Sequence, residues 1–118
     1  MKIGELARRT GVSERSLRYY EQQDLLTSTR TAGGQREYSE RAVDRVIRIQ
    51  ELFAAGLSSK KIALMLPFLR DRDGRPCEIP IPALVADLRK ERERIDRMIA
   101  DLQNTRSVLD DVIEAAEG

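Results

Sequence analysis

Histidine and tryptophan are absent from this chain of 118 residues, and cysteine occurs once. A lone cysteine excludes a disulfide within the chain, and without histidine no multi-ligand Cys/His metal site can be assembled. No cofactor is expected. There is also no glycine-rich phosphate loop and no nucleophile with a base partner, so the chain does not read as an enzyme. Aromatic residues make up only 4%, which leaves the core lean and gives a second copy of the chain value as extra burial. No apolar run is long enough to span a bilayer, and the start Met1-Lys2-Ile3-Gly4 lacks the apolar stretch of a signal peptide. The expectation is a soluble, cytoplasmic protein.

What is present is charge, unevenly placed. The net charge is +1, but residues 1–75 carry 15 Lys/Arg against 10 Asp/Glu and residues 76–118 carry 6 against 10. A basic front and an acidic back suit a nucleic-acid-reading head on a solvated helical stem.

The organising stretch is Lys2 to Leu26. Ile3, Leu6 and Ala7 recur at helical spacing, predicting a helix over about Lys2 to Arg9. Gly11 can take the positive φ of a sharp turn, and Val12 plugs the corner. Ser13 is a good N-cap for a second helix reaching about Gln23. Leu17 and Tyr20 face back toward Leu6, leaving Arg15, Ser16, Arg18 and Tyr19 outward. That is a helix-turn-helix, whose second helix enters the DNA major groove. Residues 27–38 then read as a β-ribbon wing, with strands at Thr29–Arg30 and Arg36–Tyr38 and Gly33-Gly34 at the tip.

Ser39 is expected to cap a third helix to about Ala55, with Ala42, Val43, Val46, Ile47, Gln50, Leu52 and Phe53 on its broad inner face. Gly56 ends it as the residue after the C-cap. Ser58 caps a short fourth helix, Ser59 to Leu66, with Ile62, Leu64, Met65 and Leu66 buried and Pro67 as its stop. Residues 70–82, with three prolines and a glycine, read as a linker or hinge. From Ala83 to about Ala116 runs a long helix with a heptad seam. Ile81, Leu88, Ile95, Leu102, Leu109 and Ala116 recur every seven residues, and Leu84, Met98 and Val112 fill the second seam position, which Glu91 and Thr105 interrupt. The seam predicts dimerisation through Leu88, Ile95, Met98, Leu102, Leu109 and Val112. The expected organisation is therefore mainly α: a winged helix-turn-helix head over 1–69 with a small β-ribbon wing, a hinge over 70–82, and a C-terminal coiled-coil helix over 83–118.

The series Arg18-Tyr19-Tyr20-Glu21, Leu25-Leu26, Arg30, Gly34, Arg36, Tyr38-Ser39 resembles the winged helix-turn-helix of MerR-family transcription regulators, and Ala54 to Ser58 continues the likeness. Lys60-Lys61 depart from it, standing where acidic residues are expected. The resemblance implies a homodimer joined by an antiparallel coil. It also implies action at promoters whose spacer is too long for RNA polymerase, by bending and untwisting the DNA. Its cost is met by protein contacts. Arg18, Tyr19, Arg36 and Tyr38 match positions that touch DNA in the family.

From the residues themselves, Arg15 and Arg18 suit the guanine edge, and Ser13 and Ser16 a phosphate or base. Tyr19 suits a phosphate, with Tyr20 packed inward. Arg36 would grip the backbone or enter the flanking minor groove, and Tyr38 either touches DNA or covers the core. Cys77 stands where metal-sensing relatives place a ligand, but the sequence stops at Gly118 without their later thiols. It is a candidate thiol sensor, Arg72 and Arg75 lowering its pKa and Glu78 opposing them, or a small apolar packing residue. Two other readings use the same features: an architectural or excisionase-like DNA-bending protein, and a coiled-coil adaptor with a basic head.

Overall fold

The structure, a computed structural model, describes residues 1–69 and 82–118. Cys77, Ile81 and most of the predicted hinge lie outside the described residues. The chain divides into two compact units, Met1–Glu78 and Ile79–Gly118.

In the first unit, α1 spans Ile3–Thr10 and stops at Gly11, whose φ of 73° lets its N–H reach back to Ala7 O. Helix α2 spans Glu14–Gln22 behind Ser13, whose Oγ accepts from Ser16 N at 3.1 Å. Satisfying that orphan amide is what starts a helix so soon after the turn. The wing pairs β1, Thr29–Arg30, with β2, Arg36–Glu37, antiparallel in the register Thr29↔Glu37 and Arg30↔Arg36. Tyr38 falls outside the strand and donates its N–H to Met1 O at 2.7 Å instead.

Helix α3 spans Arg41–Ala54, and α4 spans Ser59–Met65 behind the cap Ser58. Ser39 is not the side-chain cap the sequence suggests. Its carbonyl accepts from Ala42 N, and Glu40 stands at the N-cap position. On α3 the buried stripe is Ala42, Val46 and Ile49, whereas Ile47 is 41% exposed and Gln50 is exposed. The actual stripe steps by three and four from Ala42, which carries it through Ile49 and rotates Ile47 outward. On α4, Leu64 is 52% exposed, not buried, and Met65 is only partly covered. A helix this short turns one narrow face inward, which Ile62 fills, and Leu66 is buried just beyond its end. Pro67 does not end the helical path outright but sits in a 3-10 turn, Leu66–Phe68, where its missing N–H costs nothing.

One core joins these elements. Leu6, Leu17, Leu25, Val46, Ile49 and Ile62 are fully buried in it, and Tyr20 stacks on Phe53 with ring centroids 5.7 Å apart. Arg9 ties α1 to α3 through two contacts with Glu40, at 3.0 and 2.8 Å. The hydrogen bond to Glu40 holds its pKa above the usual arginine value.

The second unit is α5, Pro82–Glu117, 36 residues or about 54 Å of helix. It begins one residue earlier than the sequence pattern suggests, because proline is well suited to the first helical turn. No residue of α5 is buried, and Met98, Ile99, Leu102, Val108, Leu109, Val112 and Ile113 are exposed. Among the described residues no helix is long and apolar enough to cross a membrane.

Candidate nucleic-acid interface

Helix α2 is fixed on the head by Leu17 and Tyr20, both buried. The opposite face is thereby set outward. Arg15, Arg18 and Tyr19 are exposed and Ser16 is half-buried. Arg15 has no ion pair or side-chain hydrogen bond among the described residues, and Arg18 has a loose one, 3.9 Å to Glu14. Both guanidiniums therefore keep their donor forks for a ligand. The Ser13 hydroxyl is already used twice, accepting from Ser16 N and donating to Ser16 Oγ at 3.0 Å.

The wing tip turns over Thr31 to Gly34. Gly34 donates to Thr31 O at 2.9 Å, and Thr31 N donates to Gln35 O at 2.8 Å. Gly34 has φ 79°, which a side chain would resist. Arg30 reinforces the turn by donating to Gly34 O at 2.8 Å.

The register sets Arg30 directly across from Arg36. Like charges in that position repel. Their ribbon faces α2 across an open cleft of about 480 Å³ lined by Lys2, Ile3, Arg18, Arg30, Gln35 and Arg36. Lys2 Nζ donates to Gln35 Oε1 across it. Cations from the start of α1, from α2 and from both wing strands thus meet at one concavity. Such a place favours a polyanion.

Tyr38 lies in the core, 2% exposed, with its hydroxyl donating to Glu21 on α2. Burial, then the Glu21 hydrogen bond and charge, push this phenol up to about 12, with Arg36 opposing. Burial also raises Tyr20. Glu21 receives a second partner, Arg36, at 3.3 Å. One carboxylate on α2 therefore holds two wing residues. The sequence reading placed Arg18 and Arg36 correctly near one another but passed over Glu21, Lys2 and Gln35. A usable signal existed. The strand expected over Arg36–Tyr38 would put residues 36 and 38 on one face, where one acid can serve both. Among the described residues, no group of three or more His, Cys, Asp or Glu is placed to hold a metal ion.

Residues 1–69 match the family described as MerR HTH family regulatory protein. The chain is 30% identical over 119 residues to the uncharacterized HTH-type transcriptional regulator PA4778 of Pseudomonas aeruginosa, covering 100% of this chain and 86% of that protein. It is 36% identical over 117 residues to the nodulation protein NolA of Bradyrhizobium elkanii, covering 98% of this chain but only 48% of the relative. Among solved structures it is similar in fold to HiNmlR, a MerR family regulator lacking the sensor domain and bound to promoter DNA, with a TM-score of 0.70, 20% identity, and 92% of this chain and 83% of that one covered.

Proposed function

The chain belongs to the MerR family of helix-turn-helix transcriptional regulators, and from that premise we propose that it works as a homodimer that binds promoter DNA and bends and untwists it for RNA polymerase. The observation that carries this reading is the cleft where Lys2, Arg18, Arg30 and Arg36 converge. It lies between the helix that reads bases and the ribbon that grips the flanking backbone. In this reading Arg15 and Arg18 address base edges and Ser16 and Tyr19 a phosphate, while Ser13 caps the helix that carries them. Arg36 holds the backbone from the wing, and Tyr38 acts from inside the core by fixing where the wing lies. Leu88, Ile95, Met98, Leu102, Leu109 and Val112 of α5 join two copies, in the bacterial cytoplasm. Two heads at a set separation need a site with two-fold symmetry and fixed half-site spacing.

The test is footprinting on the DNA upstream of the protein's own gene, followed by gel-shift titration and a bending assay with the protected fragment. The expected result is a symmetric protected site between promoter elements, bent in the complex. Arg18→Ala should lose most specific binding. Unchanged affinity in that variant, or protection only at recombination sites, would refute the reading.

A further inference from the structure

Arg36 raises a question of electrostatics. It sits opposite Arg30 in the ribbon and shares a cleft with Lys2 and Arg18. Four cations around one concavity should splay apart in the free protein unless something holds them. Glu21 is the acid in contact. Its side chain is 14% exposed and that of Arg36 44%, so the carboxylate lies behind the guanidinium, on its protein side. Glu21 receives the Tyr38 hydroxyl and one Arg36 nitrogen, Nη1. A guanidinium is a planar fork of five donors and can serve two anions on different edges.

We propose that Glu21 is a positioning residue for DNA: it holds Arg36 from behind and aims the rest of the fork into the cleft, which seats one phosphate of the DNA backbone with Lys2 and Arg30. This deepens the reading under Proposed function and rests on it. Glu21 touches no DNA itself. It acts through Arg36, and Tyr38 fixes Glu21 in turn. The arrangement resembles the buried acid that orients a metal-binding imidazole, in that an outer partner sets the geometry of an inner one. Arg30, whose own guanidinium is tied to Gly34 O, supplies charge to the seat at a fixed place on the turn.

The count of phosphates gripped is readable from the salt dependence of binding. The logarithm of the association constant falls with the logarithm of salt by about 0.9 for each phosphate neutralised. The experiment uses the full chain and a labelled duplex selected by the wild type from a random library, titrated by anisotropy across a series of KCl concentrations. Glu21→Gln keeps an acceptor for the Tyr38 hydroxyl but removes the charge that holds Arg36. The expected result is a slope shallower by about 0.9, several-fold weaker binding at low salt, and a melting temperature close to wild type. Arg36→Ala should show the same slope loss, and the double variant should bind no worse than Arg36→Ala alone.

Arg36→Lys keeps the charge but gathers its three donors on one nitrogen, so an ammonium drawn onto Glu21 lacks the second fork edge that extends to the phosphate. It should lose the same slope, and it decides the matter if Glu21→Gln does not fold. A wild-type slope in Arg36→Lys, or in a folded Glu21→Gln, overturns the inference. So does a steeper slope in Glu21→Gln, which would mean that Glu21 restrains Arg36. A wild-type chain that binds no duplex fells the functional reading and this inference together. One that binds while the variants keep its slope fells the inference alone.

Discussion

Asp24 has a left-handed backbone, φ 58°. It closes α2 by the same hydrogen-bond pattern that glycine closes α3. Leu25 N donates to Tyr20 O at 2.9 Å and Asp24 N to Glu21 O at 3.1 Å, the paired bonds of a Schellman ending. A side chain in this conformation costs roughly 1–2 kcal/mol, less for Asp, and a carboxylate at a helix C-terminus also opposes the dipole. Asp24→Gly is therefore expected to raise stability by about 0.5–1 kcal/mol after the entropy of glycine is subtracted, seen as a higher urea midpoint. An unchanged or lower midpoint would mean that the Asp24 side chain has a role of its own. In the sequence Asp24-Leu25-Leu26 reads as the close of the second helix, but nothing marks Asp24 as the left-handed residue. Gly11 and Gly56 announce their turns, and both stand where expected, with φ of 73° and 85°. An aspartate in the same conformation looks like any other charged loop residue.

Tyr38 supplies a second prediction at this scale. Its folded pKa is pushed up to about 12 from an unfolded value of 10.0. The folded state holds the phenol proton more tightly, so this contribution is complete below pH 10 and is lost as pH rises toward 12. The urea midpoint should fall over that window, and Tyr38→Phe should fall less steeply. Equal slopes in the two proteins would show that the phenol does not govern the alkaline limb.

The wing is the element whose parts were legible and whose attachment was not. Thr29–Arg30 and the Gly33-Gly34 tip were readable from turn chemistry, and the strands form where expected except that Tyr38 leaves β2. Its attachment depends on Glu21, 17 residues away from Tyr38 in sequence, and on Met1, whose carbonyl accepts from Tyr38 N at 2.7 Å. Neither contact follows from local periodicity, because each is made only when the chain start, α2 and the wing have packed. The same limit explains Ile47 and Leu64. Hydrophobicity alone assigned both to the core, but which of two adjacent apolar residues faces in is decided by the neighbouring helix. A ribbon of two rungs has little stability in isolation, so its turn matters. Gly34→Ala places a side chain at φ 79°, at a cost of roughly 1–2 kcal/mol borne by the wing. Because the core does not depend on the tip, the main unfolding transition should move little while DNA binding weakens several-fold. A large drop in melting temperature with intact binding would contradict this.

At the scale of the whole molecule, the chain has a head with a closed core and a helix of 36 residues with none. The heptads were legible in advance because a seam of this length is a purely local pattern. What they do not contain is the orientation that two copies would take in the proposed dimer. Leu102 is 66% exposed and Leu109 56%. Burying such a side chain is worth about 1.5–3 kcal/mol, and a dimer would bury four of them. Replacing both with glutamine should convert dimers to monomers in sedimentation equilibrium and weaken DNA binding, with the head still folded. A dimer that persists in that variant would remove α5 as the joining element.

The Arg30–Arg36 rung of the ribbon has an effect in the absence of DNA. Screening by dissolved ions shortens the range of their mutual repulsion to about 10 Å at 0.1 M and 3 Å at 1 M. Raising the electrolyte should therefore firm the unbound hairpin, slowing amide exchange at Thr31 and Gln35, while the same ions loosen its hold on a nucleic acid. Salt would act on this small strip in opposite senses, as a brace when it is empty and as a competitor when it is filled.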